Sequence, residues 1–208
     1  MSARARVLPE WLNVSRETHS KLQALLQLVA KWNSKINLVS RGSLADGWER
    51  HILDSAQLWG AANTDSGLWL DVGSGAGFPG LVIAIIAQDR APALRIVLVE
   101  SDRRKSVFLS EAARQLGLEL EIRVVRLEKL DAADANVISA RALAPLDALL
   151  EGTKRHLLPG GVAIFPKGQN FKPELQAAKQ RWRFDCDVMQ SRTDPNAVVL
   201  RIGNIQDV

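Results

Sequence analysis

Apolar residues recur every three or four positions through the first part of the chain, then give way to short apolar runs that alternate with amphipathic stretches. Between about 15 and 33, Leu22, Leu25, Leu26, Val29 and Trp32 share one helical face while Lys21, Gln23, Gln27 and Lys31 lie on others, which predicts an amphipathic helix. A second helix is expected to open at Ser43 as N-cap and to carry Trp48, Ile52, Leu53, Ala56 and Leu58 as far as Gly60. From 68 onward the period changes. Leu68, Trp69, Leu70 and Val72 read as a strand, and the LVIAIIA run that begins at 81 reads as a helix starting near Pro79. RIVLVE at 95–100 is a second strand, and KSVFLSEAARQLG at 105–117 is a helix ended by Gly117. LEIRVV at 120–125, NVISA at 136–140, a helical PLDALLEGTKRHL, the turn Pro159-Gly160-Gly161 and a strand VAIF at 162–165 follow.

Repeated strand–helix units of this length predict an α/β fold with a mostly parallel, doubly wound sheet. The last stretch departs from that rhythm. After a helix-like PELQAAKQ, the runs RFDCDVM and AVVLRI flank Thr193-Asp194-Pro195-Asn196, so a closing hairpin with at least one antiparallel strand is expected. No repeat or long linker divides the chain. Residues 1–62 therefore read as an N-terminal helical cap within the same globular unit as an α/β domain over 63–208.

The chemistry concentrates at 68–80, LWLDVGSGAGFPG, where an apolar run ends in Asp71 and then in Gly73, Gly75 and Gly77. Glycines there let the backbone take positive φ and approach a bound molecule closely. Two fingerprints overlap. Gly75-x-Gly77-x-x-Gly80 is formally a dinucleotide pattern, with a pyrophosphate on the helix N-terminus and an NAD(P)-dependent oxidoreductase as its consequence. Asp71 followed by Gly73, Gly75 and Gly77 instead resembles the loop of S-adenosylmethionine-dependent methyltransferases, where a carboxylate suits a cationic amino group and repels a pyrophosphate. Loop amides satisfying Asp71 are the alternative. Glu100 ends the second strand, where an acid accepts hydrogen bonds from a ribose diol, and Leu127 with Glu128 follows the third strand near the place of an adenine. A closing hairpin, in a chain too short for a separate catalytic domain, favours the methyltransferase reading.

Composition narrows the partners. With 47% hydrophobic residues a true core is available, and one cysteine, Cys186, excludes an intrachain disulfide and a zinc-finger cluster. No apolar stretch reaches the roughly 18 residues of a membrane span, so a cytoplasmic protein without membrane association is expected. No His and carboxylate spacing points to a metal site. The net charge of +4 leans weakly towards a polyanion. Arg4 and Arg6 read as a solvated tail, and the tryptophans Trp32, Trp48, Trp59 and Trp182 read as core rather than as base-stacking platforms.

Several segments together, KWNSKINL at 31–38, RHILDS at 50–55, LDVGSGAGFPG at 70–80, VISARALAPL at 137–146 and LLPGGVAIFPKG at 157–168, resemble the bacterial RsmG/GidB family over nearly the whole chain. The resemblance implies a Rossmann-like class I methyltransferase fold, S-adenosylmethionine as cofactor, and methylation of N7 of a guanosine in 16S ribosomal RNA, with the small subunit or its precursor as partner and no obligate protein partner. It places the cofactor on Gly73, Phe78, Leu127, Glu128 and Arg141. Arg141, just past the fourth strand, faces the crevice and is the first candidate for positioning; its alternative is an ion pair with Asp54 or Asp147 that fixes the loop. His51 and Asp54, three apart on a helix, would share a face closing the site. Lys35, Arg50, Arg123 and Lys167 are candidate RNA contacts, within a wider set of Lys31, Arg41, Arg103, Arg104, Lys105 and Arg126. A catalytically silent RNA-binding assembly factor remains the non-enzymatic alternative.

Overall fold

The computed structural model describes residues 8–208, apart from the Arg41 side chain. Arg4 and Arg6 lie outside the described residues. Helix α1 (Arg16–Asn33) is capped by Ser15, whose hydroxyl accepts from the Thr18 amide, and it buries Leu22, Leu25, Leu26 and Val29. Where a single helix from Ser43 was expected, three segments occur. Ser40 caps the short α2 (Arg41–Ala45), a wide turn of π type spans Trp48–Leu53, and α3 (Asp54–Ala62) continues it directly. A wide turn shifts the side chains that follow it off the 3.6-residue period, which periodicity alone does not register.

Seven strands among the described residues make one sheet in the order β3-β2-β1-β4-β5-β7-β6. The strands are β1 (Ser66–Val72), β2 (Ala93–Val99), β3 (Glu121–Arg123), β4 (Ala135–Ala140), β5 (Leu157–Lys167), β6 (Trp182–Gln190) and β7 (Val198–Asp207). The first five run parallel, whereas β7 is antiparallel to both β5 and β6. A doubly wound sheet closed by an antiparallel hairpin is thus what forms. Between them lie α4 (Gly80–Arg90), α5 (Arg103–Leu116), α6 (Leu146–Lys154) and α7 (Phe171–Ala178).

Alternation along β1 separates two cores. Trp69 enters the cluster with Leu22, Leu25, Ile52, Leu58, Ile83, Ile86 and Phe108, while Leu70 and Val72 join Val99, Ile138, Leu149, Phe165, Trp182 and Leu200 on the opposite face. Helix α4 is buried from Gly80 through Ala87 without a polar face. A helix apolar all round must be covered on more than one side, and α1 and α3 supply the second cover. Trp48, Trp69 and Trp182 are buried, and Trp59 stacks on Trp69 with centroids 6.4 Å apart, so these rings are structural.

Three strands differ most from the sequence expectation, β7 among them, which runs on to Asp207 beyond the AVVLRI stretch. The third strand is confined to Glu121–Arg123, and the fifth begins at Leu157. Pro159-Gly160-Gly161 is a bulge within β5, because Ala135 pairs with Leu157 but Val137 already pairs with Val162. At Gly161 an added Cβ would stand 2.8 Å from the Ala135 carbonyl oxygen and 3.0 Å from that of Leu158, both backbone atoms. Gly161→Ala should therefore cost about 1–3 kcal/mol in urea unfolding, whereas Gly168→Ala, with nothing within 4 Å, should stay within about 0.5 kcal/mol of wild type.

Candidate active site

The sheet order reverses between β1 and β4, and a cleft of about 1520 Å³ opens at the carboxyl ends of these strands. That exceeds the roughly 300–1,000 Å³ usual for a single small ligand. It has room for a cofactor and a nucleotide together.

One wall is the glycine loop. The Gly73 and Ser74 amides donate to the Val99 carbonyl at 2.8 and 3.1 Å, which pins the loop to the end of β2. Gly73, Gly75 and Gly77 have φ of 67, 55 and 84°, a region where side chains are costly. Glu100 closes β2 and holds the loop from below: one carboxylate oxygen accepts from the Gly75 amide and the other from the Asp102 amide, both at 2.8 Å. Glu100 lines the cleft, and each oxygen retains acceptor capacity for a ligand hydroxyl.

Asp71 lies elsewhere than the sequence reading expects. Its carboxylate is fully buried and does not line the cleft. Strand alternation sends it, like Trp69, under the start of α4, where it accepts from the Gly80 amide at 3.1 Å and from the Ser139 hydroxyl at 2.6 Å. It therefore secures the loop from beneath rather than meeting a cationic amino group. Burial pushes this carboxyl up to about 6, against the opposing effects of hydrogen bonds from Ser139, Ser74 and Gly80. The same contact speaks against the dinucleotide pattern, since the helix N-terminus that would take a pyrophosphate already faces an acid.

The opposite wall brings Arg141, His51, Asp54 and Phe78 together. The Arg141 guanidinium donates to the Arg50 carbonyl at 2.9 Å, approaches Asp54 Oδ2 at 3.4 Å and lies 5.4 Å from the Phe78 ring centroid. Its other terminal nitrogen is 3.2 Å from His51 Nδ1. Guanidinium offers only donors, so His51 Nδ1 accepts and Nε2 carries the ring proton. His51 stacks on Phe78 at 4.9 Å with 13° between the planes. Burial first, then the charges of Arg141 and Arg50, lower it to about 4, which keeps the imidazole neutral. Burial also lowers Arg141, with Asp54 opposing. Of the two partners expected for Arg141, Asp54 is the one present; Asp147 instead accepts from Arg181 and from Trp182 Nε1.

The remaining expected residues divide. Arg50 and Lys105 line the cleft, and Lys35 is exposed. Lys167 also lines it, yet its ammonium is held by Glu174 at 2.8 Å and the Ala144 carbonyl at 3.1 Å. It braces α7 against the loop after β4 and is not available as the free RNA contact expected of it. Arg123 lies on edge strand β3, paired with Glu121 at 2.7 Å, and does not line the cleft. Leu127 and Glu128 sit on a 3₁₀ turn, Leu127–Lys129, outside the cleft; Glu128 is exposed, and Leu127 reaches α6 so closely that a Cβ on Gly152 would stand 2.7 Å from it.

Sequence reasoning missed the β6–β7 turn. Ser191, Thr193, Asp194 and Pro195 line the cleft, and Thr193 donates to Asp54 Oδ1 at 3.1 Å. The pattern marked these residues only as a turn. No group of three or more His, Cys, Asp or Glu among the described residues is placed to hold a metal ion, and no described helix is long and apolar enough to cross a membrane.

A family model described as GidB, rRNA small subunit methyltransferase G, matches residues 18–195. A ribosomal RNA small subunit methyltransferase G of Ruegeria sp. (strain TM1040) is 49% identical over 197 residues, covering 95% of this chain and 96% of the relative. That of Cereibacter sphaeroides (strain ATCC 17025 / ATH 2.4.3) is 51% identical over 193 residues, 93% of each. Among solved structures, a TehB-like SAM-dependent methyltransferase from Corynebacterium glutamicum ATCC 13032 superposes with a TM-score of 0.58 at 17% identity, over 88% of this chain and 98% of that one. A SAM-dependent methyltransferase from Aquifex aeolicus gives 0.56 at 15% identity, over 85% and 97%. The fold is that of class I methyltransferases.

Asp71 and His51 pull stability in opposite directions with pH. Asp71 is raised from 3.8 to about 6, so its contribution is complete below 3.8 and is lost as pH rises through about 6. His51 is lowered from 6.5 to about 4, so its contribution is complete above 6.5 and is lost as pH falls through about 4. Relative to wild type, Asp71→Asn should gain stability and His51→Gln should lose it in urea unfolding as pH goes from about 4 to about 7. Two differences that stay flat with pH would show both groups to be solvated.

Proposed function

This chain belongs to the rRNA small subunit methyltransferase G (GidB) family, and we propose that it transfers the methyl group of S-adenosylmethionine to N7 of one guanosine in 16S ribosomal RNA, within the small subunit or its precursor. The observation that carries this reading is the glycine loop pinned by Glu100 at the mouth of a cleft large enough for two ligands. The loop suits the cofactor: at Gly75 a Cβ would find no atom nearer than 3.7 Å, so the glycine leaves open a space that any side chain would fill. In this reading Glu100 takes the ribose diol, the backbone of 73–77 takes the methionyl end, and Phe78 and Arg141 border the reacting centre. Leu127 and Glu128, on the turn after β3, are assigned to the adenine in this reading.

When bound, S-adenosylmethionine supplies an electrophilic methyl group on a sulfonium. Guanine N7 offers an in-plane lone pair and no proton, so the protein's task is positioning and exclusion of water rather than base catalysis. The site agrees. His51, the neutral imidazole of the cleft, has Nδ1 turned to Arg141 and is held well below its ordinary value, so it is a poor proton acceptor. Arg141 and the Phe78–His51 stack offer guanidinium and ring surfaces for an unstacked base. Arg50, Lys105 and Lys35, exposed or at the cleft, are the phosphate contacts favoured by position.

The test is transfer of labelled methyl from S-adenosylmethionine to small ribosomal subunits lacking the modification, followed by mapping of the labelled base. Wild type should yield a single N7-methylguanosine, and Arg141→Ala should slow its formation by about 10²-fold. Absence of transfer to subunits and to free RNA, by a protein that still binds the cofactor, would overturn the reading in favour of an assembly role.

A further inference from the structure

Gln57 is a polar residue with no assigned task, only 7% exposed and outside the lining of the cleft. An amide buried at such a position is costly unless its hydrogen-bonding groups are met. Here they are, and two of the three partners, Asp54 and Ser191, line the cleft, while Arg192 stands between the lining residues Ser191 and Thr193. Its Nε2 donates to Asp54 Oδ1 at 2.9 Å and to the Ser191 hydroxyl at 3.2 Å, and its Oε1 accepts from the Arg192 amide at 2.9 Å. Asp54 Oδ1 also accepts from Thr193, while Asp54 Oδ2 faces Arg141. One carboxylate oxygen is thereby fixed by helix α3 and the β6–β7 turn, and the other is left to place the guanidinium.

We propose that Gln57 is a positioning residue for methyl transfer: through Asp54 it sets where Arg141 stands, and through Ser191 and Arg192 it ties that position to the β6–β7 turn, which also lines the cleft. The assignment rests on the cleft being the methyl-transfer site. It makes helix α3 and the turn one unit, because a shift of the turn pulls on the same amide that orients Asp54. Replacing Gln57 by an apolar residue of similar size leaves the Arg192 amide and Asp54 Oδ1 each short of a partner, and Arg141 then loses its fixed counter-ion.

The test combines a double-mutant cycle with a titration that needs neither cofactor nor RNA. Single-turnover methyl transfer to small subunits is measured for wild type, Gln57→Leu, Asp54→Ala and the double variant. Each single change should slow transfer by about tenfold or more, and the double variant should be little slower than the worse single, the coupling expected of residues in one network. By NMR on the free protein, the His51 titration should move up from about 4 in Gln57→Leu, since Arg141 no longer stands against Nδ1. If Gln57→Leu fails to fold, Thr193→Val, which removes the turn's hydroxyl from Asp54 and from the Gln57 partner Ser191, replaces it in both measurements. Additive losses, or an unmoved His51 titration in a folded variant, overturn the proposal. A wild type that transfers no methyl overturns the functional reading, while the titration still reports on the network.

Discussion

A carboxylate shut off from water lies where β1, β4 and α4 meet, and the cofactor loop depends on it. Asp71 accepts from the first amide of α4 and from Ser139 on β4, whose hydroxyl in turn accepts from Trp69 Nε1 at 2.9 Å. A buried acid is expensive, yet a helix N-terminus is the place where unpaired amides and the helix dipole repay part of that cost. The contact also dictates sequence. A Cβ at Gly80 would lie 2.5 Å from Asp71 Oδ2 and 2.3 Å from Leu98, so helix and strand approach this closely only over a glycine. The loop above is then stretched between two fixed points, the Gly80 entry and the Val99 carbonyl, and Glu100 trims what freedom is left.

The other wall is organised by the opposite economy of charge. Arg141 is mostly buried and is met by one carboxylate at moderate distance, one backbone carbonyl, a neutral imidazole and an aromatic face. Such an environment keeps a cation in place without neutralising it tightly. A neutral His51 belongs to the same arrangement, since a second cation at 3.2 Å from the guanidinium would be strongly repelled.

Much of this was legible in the sequence where a local rule governs. The 3.6-residue stripe gave α1, the apolar run and glycines gave β1, its loop and α4, and Thr193-Asp194-Pro195-Asn196 gave the closing hairpin. What the sequence concealed is non-local. Alternation tells which face Asp71 takes but not that a helix end lies above it. Lys167 looks like a free loop cation until α7 brings Glu174 against it. Gln57 looks like any glutamine on a helix until the β6–β7 turn, more than 130 positions away, folds over it. The wide turn at Trp48–Leu53 breaks the period on which the second helix was drawn, and it carries His51. Leu127 and Glu128 show the limit from the other side, for their place after the third strand is legible while the 3₁₀ turn that carries them is not.

The order of the last three strands has a consequence for synthesis from one end. β6 precedes β7 in the chain but pairs only with β7, which itself fills the place beside β5. During translation β6 therefore emerges before its only neighbour, while the β5 edge still stands open, and the turn that lines the cleft closes only after β7 has been made. The cofactor loop, Glu100 and Arg141 are all delivered earlier. A growing chain thus holds the glycine loop and Arg141 before the turn residues that complete the cleft's lining, and the last strand to be made is the one that goes into the middle of the sheet's closing half.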